Sequence, residues 1–177
     1  MRELRPPGSV RGVPSNGHPY RDVCLGLAVS LILLISRRRL LLIGWVVALA
    51  GSGFLNAMLK ALFHRVRPVF ANPWLTEPGW SFPSGHAMGS LVAYGMLAYI
   101  LIVAWRIPFP RTIIVVCIVL VLAIGLSRIY LGVHFFSDVA AGYAAGMMWL
   151  AICVSGCEVA RSREQIAADS VKEGLRR

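Results

Sequence analysis

Charge is what this sequence has least of. Only 15% of its 177 residues are Asp, Glu, Lys or Arg, against 57% that are hydrophobic. A water-soluble domain carries about 25% charged residues, so the composition excludes an ordinary soluble fold and places the chain in a bilayer. Acidic residues are scarcer still, 8 against 18 Lys and Arg, for a net charge of +10. Such an excess serves nucleic-acid binding when it forms a patch on a soluble fold. Here the arginines punctuate long apolar runs instead, and nucleic acid is set aside as a partner. Cys24, Cys117, Cys153 and Cys157 form no CxxC pair and have no neighbouring His, which excludes the usual zinc and dithiol patterns and leaves them as small core residues. No cleavage-site pattern follows a stretch of signal length, so the first apolar run is expected to be retained. Neither an internal repeat nor a second domain is expected within these residues.

What is present is a series of apolar runs, to be measured against the roughly 20 residues a helix needs to cross a hydrocarbon core. Five qualify as expected spans, near residues 23–36, 40–63, 84–105, 112–130 and 137–157. The first is short and relies on Arg37, Arg38 and Arg39 reaching to the interface. The second carries Gly44, Gly51, Ser52 and Gly53, and the fifth Gly142 and Gly146, small residues that let helices approach closely in lipid. Residues 64–83 are rich in Pro, Trp and Asn and read as a loop at headgroup level, with Trp74, Trp80 and Trp105 as interface anchors. The turn Ile107-Pro108-Phe109-Pro110 sends the chain back. The expected fold is therefore all-α, an integral membrane bundle of about five helices. A polar, interfacial segment (1–22) precedes the transmembrane domain (23–158), and a charged tail (159–177) follows it. When the spans alternate sides, Arg37, Arg38, Arg39, Arg106, Arg111, Arg161, Arg163, Lys172, Arg176 and Arg177 collect on one face. The positive-inside rule makes that face, and the tail, cytoplasmic. The loop and His134 then lie on the extracytoplasmic face of the cell membrane.

The polar residues embedded among apolar helices are not scattered. Lys60, Arg67, Ser84, His86, Arg128, His134 and Asp138 all map to that second face. Singly, each has a plain explanation: Lys60 and Arg128 can snorkel, Ser84 can cap, and His18 and His64 are solvated or interfacial. Charge near a span is costly, so joint placement points to a site. Lys60 and Arg67 are seven apart; if the second helix continues, they lie two turns apart on one face and grip one anion. Ser84 fits an N-cap whose first-turn N–H groups bind an anion, Gly85 lets that anion approach the backbone, and His86 is placed to protonate a leaving oxygen. Arg128 adds a third cation, and Ser137 is a plausible cap for the last helix. His134 and Asp138 are four apart, so one helical turn would let the carboxylate take a hydrogen bond from one imidazole nitrogen and leave the other as nucleophile. The set describes phosphoryl transfer, with the cations stabilising the equatorial oxygens. Asp138 and Glu77 are too few carboxylates for a two-metal cage, so neither catalytic metal nor cofactor is expected.

Lys60 with six residues before Arg67-Pro68, then Pro83-Ser84-Gly85-His86, then Ser127-Arg128 with five residues before His134 and three before Asp138 resemble the ordered motifs of the type-2 phosphatidic acid phosphatase superfamily. The resemblance covers roughly residues 40–149. It implies a metal-independent reaction in which His134 is phosphorylated, Asp138 orients it, and His86 protonates the leaving group and later activates water. It also implies that Lys60, Arg67, Ser84, Gly85 and Arg128 hold the phosphate. Membrane members usually have six spans, one more than counted here, the missing one being N-terminal. The expected activity is hydrolysis of a lipid phosphate or diphosphate such as undecaprenyl diphosphate, phosphatidylglycerophosphate or phosphatidate. Two alternatives stand beside it: transfer of the phosphoryl group to an acceptor alcohol, and a non-enzymatic helical membrane protein, against which the intact His86, His134 and Asp138 argue. Haloperoxidases with a similar anion site are soluble, which argues against that activity.

Overall fold

Five helices and no strand make up the described residues, 19–68 and 79–174, of the computed structural model. They are α1 (Pro19–Ile35), α2 (Arg39–Phe63), α3 (Gly85–Trp105), α4 (Pro110–Tyr130) and α5 (Phe136–Gly174). Helices α2 to α5 are long and apolar enough to cross a membrane, while the apolar part of α1, Cys24–Ile35, is shorter. At 1.5 Å per residue α1 reaches about 25 Å, and Arg37, held at φ 54, lies in the turn that separates it from α2. The bundle thus has four full-length spans and one short helix packed on α2.

Helix α4 starts two residues before the expected position, at Pro110, whose missing N–H and fixed φ suit a first turn. Helix α5 does not stop where the chain turns polar. It runs unbroken for 39 residues, about 58 Å, because Glu158 to Glu173 contain neither Pro nor Gly and are rich in good helix formers. The helix therefore extends past the end of the apolar run.

Lipid tails are as apolar as leucine, so close packing holds these helices together. Helix α3 sits centrally and packs against α2, α4 and α5. Leu33, Trp45, Val92, Met96 and Ile100 are fully buried, with Cys153 and Cys157 beside them. Cys24 is exposed and Cys117 half-buried, so the core placement expected for all four cysteines holds for only two. Helix α4 is peripheral; Val121 and Gly125 are its buried residues, and Val115, Val116, Ile118 and Val119 face outward, where lipid solvates them.

The Gly142/Gly146 spacing seats α5 on the backbone of α3. A Cβ at Gly142 would lie 2.7 Å from the Ser84 carbonyl oxygen, and one at Gly146 would lie 3.1 Å from that of Met88. On α2, Gly51 makes room for the Trp149 ring, whose Nε1 donates to the Ala48 carbonyl at 3.0 Å. Because successive spans alternate in direction, the C-terminal ends of α2 and α4 and the N-terminal ends of α3 and α5 come together at one end of the bundle.

Candidate active site

Helix α2 ends at Phe63. His64 adopts a left-handed conformation (φ 44), and its N–H bonds the Lys60 carbonyl at 3.2 Å. The condition for Lys60 and Arg67 to lie two turns apart on one face, that the helix continue to Arg67, is not met; Arg67 sits on a non-helical segment. The two cations still approach one stretch of chain. Lys60 Nζ donates to the Trp80 carbonyl at 2.8 Å and Arg67 Nε to the adjacent Gly79 carbonyl at 3.1 Å. The Ser81 N–H, bonded to the Arg65 carbonyl at 2.8 Å, ties the returning chain to the outgoing one. Trp74 and Glu77 lie outside the described residues, as do His18, the arginines before it, Arg176 and Arg177.

His134 follows a turn closed by Leu131 N–H to the Ser127 carbonyl (2.9 Å) and Val133 N–H to that of Arg128 (3.2 Å), with Gly132 at φ 70. That turn carries His134 from the last turn of α4, where Arg128 sits, to the start of α5. The His134 and Asp138 side chains are buried, the carboxylate fully. Arg67 Nη1 lies 3.2 Å from His134 Nε2 and donates to the Val133 carbonyl at 3.0 Å. A guanidinium can only donate, so Nε2 is the acceptor nitrogen and the imidazole proton belongs on Nδ1. Nδ1 faces Ser81 Oγ at 3.4 Å and Asp138 Oδ2 at 3.5 Å. The direct His–Asp approach exceeds ordinary hydrogen-bond length, because His134 precedes α5 and no helical turn joins the two residues. The Ser81 hydroxyl, which donates to Asp138 Oδ2, occupies the shared corner.

Asp138 has further donors. Arg65 Nη1 reaches Oδ1 at 2.8 Å, and the Phe135 N–H reaches Oδ2 at 3.0 Å. Arg65 also donates to Ser137 Oγ at 2.7 Å. Since α5 begins at Phe136, Ser137 lies inside the first turn and is not its cap. The sequence reading missed Arg65 and Ser81. A usable signal was there for Arg65: in an extended segment residues 65 and 67 share a side, so two arginines two apart can serve one site once the helix is known to have stopped.

At the start of α3, Ser84 holds the N-cap position, but its hydroxyl makes no capping bond. That Oγ is buried without a hydrogen-bond partner among the described residues. The Ser84 backbone is well held, its N–H donating to the Asp138 carbonyl at 2.9 Å and its carbonyl accepting from the Met88 N–H at 3.1 Å. A Cβ at Gly85 would stand 3.1 Å from Asn56 Oδ1, so this glycine also admits α2. His86 is exposed in the first turn of α3. Direct contacts thus join Arg67, His134, Asp138 and the Ser84 backbone. Lys60 joins through the Trp80 carbonyl, and Arg128 through its backbone carbonyl, which accepts from Val133, while Gly85 and His86 share the end of the bundle by their place beside Ser84. A cleft of about 520 Å³ between Arg38, Trp105, Arg106 and Arg161 lies at the opposite end, a helix length away, and is separate from this cluster.

Four helix ends closing on a buried imidazole, with a guanidinium at one nitrogen and a hydrogen-bonded carboxylate near the other, define a helical membrane protein with a candidate anion site at one end of its bundle. Residues 39–160 match the PAP2 superfamily, and the chain belongs to it. It is 40% identical over 98 residues to phosphatidylglycerophosphatase B of Bacillus subtilis, covering 53% of this chain and 47% of that protein. It is 35% identical over 136 residues to decaprenylphosphoryl-5-phosphoribose phosphatase of Mycobacterium tuberculosis, covering 72% and 69%. A crystal structure described as a transmembrane PAP2 type phosphatidylglycerolphosphate phosphatase from Bacillus subtilis superimposes with a TM-score of 0.58 at 27% identity, covering 79% of this chain and 77% of that one. The match to the first of these relatives spans about half of that protein's length.

Proposed function

We propose that the chain is a metal-independent membrane phosphatase that hydrolyses a lipid phosphate or diphosphate through a phosphohistidine on His134. The observation that carries this reading is the polarity of the buried imidazole: Nε2 accepts from Arg67 while Nδ1 faces Ser81 and Asp138. A neutral imidazole held this way has its lone pair on the cationic side. In the first step Nε2 forms a bond to phosphorus, the bond to the leaving oxygen breaks, and His86 gives that oxygen a proton. In the second, His86 takes a proton from water, which attacks phosphorus, frees phosphate and restores the imidazole. Lys60, Arg67 and Arg128 neutralise the equatorial oxygens. Ser84 Oγ, a buried hydroxyl with no protein partner, is suited to a phosphate oxygen, since leaving it unmatched costs about 1–3 kcal/mol.

A lipid substrate is supported by the site's place at the ends of apolar spans, where headgroups lie, and by relatives named for lipid phosphates. We assign the site to the extracytoplasmic face of the cell membrane, since the basic turns lie at the far end of the bundle. The test is phosphate release by purified protein from phosphatidylglycerophosphate, phosphatidate and undecaprenyl diphosphate, with and without chelator. Wild type is expected to turn over at least one of them in chelator, and His134→Ala, still folded, none. Retained activity in that variant, or a strict magnesium requirement, contradicts the reading.

A further inference from the structure

We infer that Arg65 and Ser81 form a clamp on Asp138 that keeps the His134 proton on Nδ1, which makes both of them positioning residues; this rests on the phosphohistidine reading above. A buried carboxylate paired with a single imidazole could rotate or trade its proton. Asp138 is denied that freedom, because each of its oxygens is held from outside. Arg65 takes Oδ1 at 2.8 Å, and the Phe135 N–H takes Oδ2 at 3.0 Å together with the Ser81 hydroxyl. Having given its hydrogen to Asp138, Ser81 Oγ offers only a lone pair to Nδ1, 3.4 Å away. An N–H at Nδ1 satisfies that arrangement, and a bare nitrogen there does not. The nucleophilic lone pair is thereby assigned to Nε2.

The clamp is a single unit. The Ser81 N–H bonds the Arg65 carbonyl at 2.8 Å, so the two side chains arrive on paired backbones. The Arg65 guanidinium also lies 4.4 Å from the centre of the Phe135 ring and donates to Ser137 at 2.7 Å, which fixes its direction. Its charge falls on Asp138, on the opposite side of the imidazole from Arg67. When His134 becomes cationic on forming its bond to phosphorus, a carboxylate still ionised and fixed in place meets that charge. Arg65 and Arg67, two residues apart, then have separable duties: Arg67 meets the phosphate side, and Arg65 acts only through Asp138.

Separable duties give separable kinetics. Arg65→Gln, Arg65→Lys and Ser81→Ala are compared with wild type on the lipid of the panel that wild type hydrolyses fastest. The readouts are kcat, KM and inhibition by vanadate, with melting temperature as the control for folding. Arg65→Gln is expected to lower kcat about 100-fold, the scale of a misplaced catalytic group, leaving KM and vanadate affinity unchanged. Arg65→Lys should recover part of the loss. Because the clamp works through Asp138, adding Arg65→Gln to Asp138→Asn should cost nothing further. Should Arg65→Gln fail to fold, Ser81→Ala with Arg65→Lys carries the same test, since both retain a charge partner for Asp138. Weakened vanadate binding at unchanged kcat would make Arg65 a phosphate ligand and overturn the inference, as would losses that multiply in the double variant or no loss at all. If instead His134→Ala retains activity, it is the phosphohistidine reading that has failed.

Discussion

Two arginines separated by one valine divide the candidate site between them. Arg67 lies 3.2 Å from His134 Nε2, where the phosphorus of a substrate would approach. Loss of one preorganised donor at such a position lowers kcat about 100- to 1000-fold, and that loss is expected for Arg67→Gln together with weaker vanadate inhibition. Arg67→Lys should rescue little, because a point charge cannot span the Gly79 and Val133 carbonyls and the imidazole at once. Steady-state kinetics and a vanadate titration check both outcomes, and an active Arg67→Gln with normal vanadate inhibition would remove Arg67 from the phosphate side. Lys60, Arg67, Ser84, His86, Arg128, His134 and Asp138 can be singled out as candidates from the sequence because such residues are costly beside apolar helices and stand at motif spacings. Arg65 and Ser81 cannot. An arginine and a serine in a loop are ordinary residues, and their contacts with Asp138 depend on how distant backbones pair.

Among the elements, α3 and α5 set the site most directly, since their N-terminal turns are joined by the Ser84 N–H to Asp138 carbonyl bond. Gly142 makes that join possible, with the Ser84 carbonyl in the space a side chain would need. Gly142→Leu is expected to lower stability by about 1–3 kcal/mol, the usual cost of overpacking, and to lower activity as well by pushing Ser84 from Asp138. Melting in detergent and phosphate release check it; normal values for both would mean that the close approach is unimportant. The spans themselves were readable to within a few residues from the length of each apolar run. The end of α2 at Phe63 was among them; what the sequence could not show is the left-handed His64 and the pairing of Arg65 with Ser81, since both depend on a non-local backbone bond. The apolar run that marks the fifth span says nothing of how far its helix continues, and α5 goes on into the polar residues after Glu158.

For the whole molecule, the distribution of basic residues makes a claim about sidedness. Arg37, Arg38, Arg106 and Arg111 lie at or just beyond helix ends remote from His134, and Arg161 lies within the C-terminal half of α5; the proposed orientation, by the positive-inside rule, turns that end toward the cytoplasm. In a chain stripped of its native cysteines, Val66→Cys should react with an impermeant maleimide added to intact cells, while Ser162→Cys should react only after permeabilisation. The reverse pattern would put the site on the cytoplasmic side. The central claim concerns chemistry and is tested most directly by rapid-quench mapping of the enzyme during turnover of a lipid labelled in the phosphate it loses. The account predicts an acid-labile, alkali-stable phosphoryl group on His134 Nε2; label on any other side chain, or turnover in which His134 is never phosphorylated, would contradict it.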